Sequence, residues 1–246
     1  MSGPTDDVIQ STNDDATSSK AFAVSRGYWK DNTSLNLLQS TGGACQVVNL
    51  GAGSDTLYLS LKDSEEIPHI YVEVDMKANV LYKAMVLERK KLLKLSGSAS
   101  ILLFLAQQTL HRVSKTPSLS RGSVVHKIKR VHIIGSKTRN EISSSVDVSQ
   151  EGSHYIFDEG KFHLLSFDLR RPAQEFLDIL FSPVDGPGCS KSCPTLFLAE
   201  CVLVYMPPDI SYQLLKSISE NFPCASFLHY EQAGIFFYSF ILSIYL

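Results

Sequence analysis

A chain of 246 residues with 44% apolar and 20% charged residues has the composition of a globular domain, and its net charge of −2 indicates no class of partner. The first residues have neither the basic start nor the apolar stretch of a secretory signal. Five scattered cysteines without a C-x-x-C pair argue against a disulfide framework and a structural zinc site. We therefore expect a reducing compartment, cytosolic or nuclear, and take the cytoplasm as the localisation.

The N-terminal residues differ in composition from the rest of the chain. The first 18 residues carry four aspartates among serine, threonine and asparagine, with no basic residue. Because this composition cannot bury a core, we expect a disordered acidic tail over 1–18 and one domain over 19–246. Apolar and aromatic residues begin in 20–29, which predicts a short helix that packs onto the domain.

The next segments alternate between strand and helix patterns. Strands are predicted at 46–50, 70–74, 162–167, 195–200 and 225–230, and helices at 55–62, 77–95, 173–181 and 208–222. Unbroken apolar strands are typical of a parallel sheet covered on both faces. The expected fold class is therefore α/β, with the functional site at the carboxyl ends of the strands.

A glycine turn follows the first predicted strand. Residues 46–53 are Q-V-V-N-L-G-A-G, and glycine at Gly51 and Gly53 would let the backbone approach a ligand closely. About twenty residues further on, the second strand ends in Glu73-Val74-Asp75, the spacing at which open α/β sheets hold a nucleotide ribose. Asp75 is the expected ribose ligand, and Glu73 is the alternative.

Two more strands end in carboxylates. Asp168 ends the third strand, where it could meet an adenine amino group, and Glu200 ends the fourth. A single aspartate after a strand is a helix cap or turn residue at least as often as a ligand. Four polar strand ends in one register predict a site for a nucleotide-like ligand.

The residues around the turn indicate which ligand. A dinucleotide fingerprint needs a third glycine where this chain has Thr56, and Asp55 at the helix start would repel a pyrophosphate. No phosphate-loop motif is present in the sequence, which argues against ATP. A cofactor with a sulfonium and an amino group suits these residues, so S-adenosylmethionine is preferred to NAD.

The middle of the chain is strongly basic. No acidic residue lies between Glu88 and Glu141, while twelve of the 23 Lys and Arg residues do. We expect a solvated, irregular insertion at about 89–150, and a surface for nucleic acid or an anionic membrane is the alternative.

The almost wholly apolar residues 234–246 would form only about 20 Å of helix, too short for a membrane anchor. They predict a buried last strand or the abnormal end of a longer parent sequence.

Together these motifs resemble the leucine carboxyl methyltransferases. The resemblance covers residues 15–83 and 154–232, and A-E-C-V-L-V-Y-M at 199–206 is its most specific part; the other segments are 20–29, 46–53, 73–75, 168–170 and 230–232. It implies a Rossmann-like S-adenosylmethionine-dependent methyltransferase sheet. It also implies methylation of the C-terminal leucine carboxylate of the protein phosphatase 2A catalytic subunit. A related branch of the family, in tRNA wybutosine synthesis, matches less closely.

The resemblance also assigns roles to individual residues. It implies that Lys20 helps to hold the methionine carboxylate of the cofactor and that Glu200 binds its amino group. The remaining implied contacts are Gly51 beneath the cofactor, Asp75 on the ribose, and Asp168 and Leu169 on the adenine. No catalytic residue is expected, because a terminal carboxylate has a pKa near 3.5 and needs no general base at about pH 7.

The sequence departs from the family in two places. The complete, arginine-containing R-G-Y-F-A-R segment of the relatives, before the glycine turn, is absent here. The sequence also stops before the family's substrate-lid helices and last two strands, so we expect a shortened, C-terminally incomplete form. A relative that binds cofactor or phosphatase without turnover is the alternative function. We expect a monomer without metal, nucleic acid or membrane.

Overall fold

The computed structural model describes residues 36–95 and 154–231, and the backbone of 32–35, 232–233 and 238–245. The predicted acidic tail, the predicted helix at 20–29 with Lys20, and the basic insertion beyond residue 95 lie outside the described residues.

One sheet of seven strands organises the described residues. Its order is β3-β4-β2-β1-β5-β6-β7. The five inner strands are parallel, and the two edge strands, β3 and β7, run antiparallel to their neighbours. The strands are β1 (Gln46–Leu50), β2 (Ile70–Asp75), β3 (His154–Phe157), β4 (Phe162–Ser166), β5 (Thr195–Glu200), β6 (Ala225–Ala233) and β7 (Tyr238–Tyr245).

Helices cover both faces of this sheet. They are α1 (Asn32–Thr41), α2 (Leu57–Asp63), α3 (Lys77–Arg89), α4 (Ala173–Phe181) and α5 (Pro208–Asn221). Successive residues of β1 point to opposite faces. Val47 packs with α1, α2 and α3, whereas Val48 and Leu50 pack with α4 and α5. Both faces of β1 are therefore buried, as expected of an inner parallel strand.

All five predicted strands and all four predicted helices are present, with shifts of one to six residues at some ends. The largest shift is at α3, predicted to reach residue 95, which ends at Arg89 because Lys91 turns into a left-handed conformation with φ of 54°. Of the two alternatives given for 234–246, the structure shows a strand, β7, which pairs with β6. Helix α1 and strand β3 were not predicted.

The chain reverses direction across the sheet at one point. From β1 it continues to β2 and β4 on one side, and it then returns to form β5 and β6 on the other. The carboxyl ends of β1 and β5 therefore flank a topological switch point, where open α/β sheets have their ligand crevice. No helix in the described ranges is both long and apolar enough to cross a membrane.

Candidate cofactor site

Three of the predicted site residues follow one another across the carboxyl edge of the sheet. The register pairs Leu50 of β1 with Val74 of β2 and Ala199 of β5. The next residue of each strand, Gly51, Asp75 or Glu200, therefore lies at the same level. Asp75 also pairs with Ser166 of β4, and Glu200 pairs with Tyr230 of β6. The structure brings these groups together, while their contact with a cofactor remains a prediction.

The glycine turn has a backbone that favours glycine at two positions. Gly51 and Gly53 have φ values of 63° and 49°, in the left-handed region. The Ala52 amide donates to the Val74 carbonyl over 3.2 Å, which ties the turn to the end of β2. A Cβ built on Gly51 would lie 2.5 Å from Cγ2 of Val202. Glycine at Gly51 thus makes room for a side chain of this protein.

Replacement of Gly51 by alanine is expected to lower the free energy of unfolding by about 2–4 kcal/mol, since it adds left-handed strain to a steric overlap with Val202. Urea unfolding measures the loss. The double variant Gly51→Ala/Val202→Ala should recover only the overlap part. Full recovery would show that the left-handed conformation of Gly51 is of no consequence.

Among the described residues, three donors hold the Asp75 carboxylate. Its Oδ2 accepts from the Gly53 amide over 2.6 Å, and its Oδ1 accepts from the Met76 amide over 2.6 Å and from Nδ2 of Asn79 over 2.9 Å. Burial raises the pKa of Asp75 above its ordinary value, and these hydrogen bonds oppose the rise. Two carboxylate oxygens offer about four lone-pair sites, so acceptor capacity remains for a further hydroxyl.

Asp55 occupies the start of α2. Its Oδ1 accepts from the amides of Thr56 over 2.6 Å and Leu57 over 3.1 Å, and its Oδ2 accepts from Nδ2 of Asn49 over 2.8 Å. A helix N-terminus attracts anions through its free amides. In this protein its own carboxylate takes that position, which is consistent with the sequence argument against a pyrophosphate.

A buried ion pair lies behind the turn. Glu73 is 2% exposed, and its carboxylate contacts the Lys83 ammonium of α3. The same Nζ donates to the Asp55 carbonyl over 2.6 Å. Burial raises the pKa of Glu73 to about 7, against the opposing effect of Lys83. Since Glu73 is engaged inside the protein, Asp75 is the better candidate for a ligand.

Asp168 forms a local ion pair beyond β4. Its Oδ1 accepts from the Arg170 amide over 3.0 Å and from Nε over 2.8 Å, and its Oδ2 accepts from Nη2 over 2.6 Å. These hydrogen bonds hold the pKa of Asp168 below its ordinary value. The neighbouring Leu169 side chain is 8% exposed and packs in the core with α4 and α5. The Asp168 carboxylate is thus already partly committed within the protein.

Sequence reasoning missed the side chains that support the turn, namely Asn49, Asn79 and Lys83. A signal was available for two of them. Asn79 and Lys83 come four and eight residues after Asp75, and residues at such spacing share one face of a helix. Asn49 is the polar residue within the otherwise apolar end of β1, where it is 3% exposed.

The topology and the helix-covered sheet are consistent with the fold of S-adenosylmethionine-dependent methyltransferases. The chain belongs to the leucine carboxyl methyltransferase family, since the model of that family matches residues 5–219. The resemblance noted from the sequence motifs is thereby confirmed. Among the described residues, no cluster of side chains could hold a metal ion.

Individual relatives agree with this assignment. Leucine carboxyl methyltransferase 1 of Bos taurus is 29% identical over 267 residues, which cover 95% of this chain and 66% of the relative. The Caenorhabditis elegans protein of the same name is 30% identical over 258 residues, covering 91% and 63%. The tRNA wybutosine-synthesizing protein 4 of Rattus norvegicus is 27% identical over 188 residues, covering 76% and 20%. The chain thus spans between 63% and 66% of these two carboxyl methyltransferases.

Proposed function

We propose that this protein binds S-adenosylmethionine at the carboxyl edge of β1, β2 and β5 and methylates a C-terminal leucine carboxylate. The catalytic subunit of protein phosphatase 2A is the proposed substrate. The observation that carries the proposal is the Asp75 carboxylate, fixed to the Gly53 amide at this edge in a member of the carboxyl methyltransferase family. All five cysteines are free thiols, which supports a cytoplasmic location.

The residues at the edge suit this cofactor. Asp75 would accept from a ribose hydroxyl, for which it has acceptor capacity left, and the backbone at Gly51 would lie beneath the cofactor. Glu200 would hold the methionine amino group, and Asp168 with Leu169 would meet the adenine. Lys20 is proposed for the methionine carboxylate on the strength of the family motif alone.

The proposed reaction needs little general acid–base catalysis by the protein. When bound, the cofactor supplies a methyl group activated by its sulfonium. A leucine carboxylate is already an anion at about pH 7, so no side chain has to remove a proton from it. The contribution of the chain is to orient the two reactants and to exclude water from the carboxylate.

A second candidate function is cofactor binding without turnover. The family's R-G-Y-F-A-R segment is kept in this sequence only as Arg26-Gly27-Tyr28, and Asp31 stands where its last arginine would be. An arginine fork is the natural partner for a substrate carboxylate. A chain without the last arginine of that segment could retain the cofactor site and lack the substrate contact.

One pair of measurements separates the two candidates. Saturation with S-adenosylhomocysteine at 100 times its Kd should stabilise the fold by about 2.7 kcal/mol and raise the Tm by about 5–10 °C. Labelled methyl should then pass to a leucine-ended peptide but not to its C-terminal amide. A thermal shift without transfer would establish the second candidate. No shift at saturating ligand would overturn both.

A further inference from the structure

The turn after β5 is organised around one carboxylate of β6. Oε1 of Glu231 accepts from three successive amides, those of Val202 over 2.9 Å, Leu203 over 2.8 Å and Val204 over 3.4 Å. Successive amides that converge on one point form an anion-binding nest. In this protein an acidic side chain of the same chain fills the nest, which we call the β5 nest.

Glu231 is largely withdrawn from water. Its side chain is 15% exposed, and Oε2 is buried without a hydrogen-bond partner among the residues that the structure describes. Nδ1 of His229 lies 3.7 Å from Oε1. A buried carboxylate is unfavourable unless it is compensated, and the three amides of the β5 nest provide that compensation. The carboxylate and the turn therefore stabilise each other.

The residue that starts this turn has a strained backbone. Cys201 has φ of 52°, in the left-handed region that non-glycine residues seldom adopt. Its amide donates to the Tyr230 carbonyl over 2.8 Å, immediately before Glu231 in the sequence. Such a conformation persists only where neighbouring contacts hold it, and β6 supplies those contacts at two consecutive residues.

The position of the β5 nest affects both sides of the candidate cofactor site. Cys201 directly follows Glu200, the proposed ligand of the methionine amino group. The Val202 side chain fills the space beside Gly51, where a Cβ would come within 2.5 Å of its Cγ2. We infer that Glu231 is a positioning residue that sets Glu200 and the glycine turn for cofactor binding. The inference rests on the proposed function.

The test uses three replacements of Glu231 and one matched control. Glu231→Leu removes the acceptor, Glu231→Asp keeps the charge but is too short to reach the amides, and Glu231→Gln keeps an acceptor oxygen. Glu220→Gln is the control, because this glutamate of α5 is 60% exposed and pairs only loosely, at 3.8 Å, with Lys216.

The first measurement needs no ligand. Hydrogen exchange in the free protein should show faster exchange at Val202 and Leu203 in the Leu and Asp variants, with unchanged protection in β1 and β2. The Gln and control variants should exchange like the wild type. Unchanged exchange at these amides in both the Leu and Asp variants would overturn the inference, whether or not the protein binds a cofactor.

The second measurement is the affinity for S-adenosylhomocysteine by calorimetry, at a temperature where every variant used is folded. The Leu or Asp variant should bind about 10- to 100-fold more weakly, because ligand groups would be displaced, and the Gln variant should bind within about threefold of the wild type. Combination with Glu200→Gln should add little further loss. Additive losses, or unchanged affinity in the Asp variant, would overturn the positioning role. A wild type that binds no ligand would instead overturn the proposed function and, with it, the link to the cofactor.

Discussion

Alanine in place of Asp75 is expected to weaken the binding of S-adenosylhomocysteine by at least about 100-fold and to abolish methyl transfer. A hydrogen bond to a charged acceptor is worth about 1.5–3 kcal/mol, and Asp75 has acceptor capacity left for one ribose hydroxyl. The change also removes the acceptor for the Gly53 amide, which is 2.6 Å from Oδ2, so the glycine turn loses its tie to β2. Calorimetry measures the affinity, and labelled peptide measures the transfer.

Two controls separate these effects. Asp63→Ala removes an exposed carboxylate from the end of α2 and should leave the affinity unchanged. Asp75→Asn keeps a carbonyl acceptor for the Gly53 amide and should retain the fold while it loses most of the affinity. Cofactor binding of wild-type strength in Asp75→Asn would contradict a ribose contact through the carboxylate.

The sheet could be predicted from the sequence because its signals are local. Each inner parallel strand is a short apolar run, and β1 ends in a glycine turn whose left-handed backbone at Gly51 and Gly53 favours glycine. Parallel pairing was expected to bring the carboxyl ends of the strands to one edge, whereas the order of Asp75, Gly51 and Glu200 along it comes from the observed pairing.

The missed features depend on contacts between distant residues. Strand β3 is a four-residue edge strand, with too few residues for a clear alternation, and it is defined by its pairing with β4. Glu231 comes almost thirty residues after the amides of the β5 nest, and only the parallel register of β5 and β6 brings it there. A polar residue within a predicted strand gives no indication of its partner.

The structure gives a second reason why the residues beside Asp55 would not bind a pyrophosphate. Its charge next to the glycine turn argued against a pyrophosphate, and the structure adds that its carboxylate already binds the first amides of α2. The same residue links Asn49 of β1 to Lys83 of α3, through its side chain and its carbonyl. The turn beside the candidate site is therefore fixed from β1, β2 and α3 together.

Because of the buried Glu73, the free energy of unfolding is expected to fall as the pH rises from acid to neutral. Its pKa of about 7 in the folded protein exceeds the ordinary value of 4.5, so between these values the folded state binds a proton that the unfolded state has released. Stability from this group is fully present below about pH 4.5 and is lost as the pH rises to about 7. Between these pH values the free energy of unfolding falls by about 3 kcal/mol.

Methionine in place of Lys83 is therefore expected to destabilise the protein by about 2–3 kcal/mol at pH 8, because without the cation the pKa of Glu73 rises further and its buried carboxyl must take up a proton. At pH 5 the cost should fall to about 1 kcal/mol, mainly the lost hydrogen bond to the Asp55 carbonyl, because Glu73 then carries a proton. Urea unfolding at both pH values measures the difference.

Two further variants test the cause. Lys216→Met, on the exposed side of α5, should cost little at either pH. Lys83→Met/Glu73→Gln should recover most of the loss at pH 8. Equal costs of Lys83→Met at pH 5 and pH 8 would show that the ammonium does not act through the charge of Glu73.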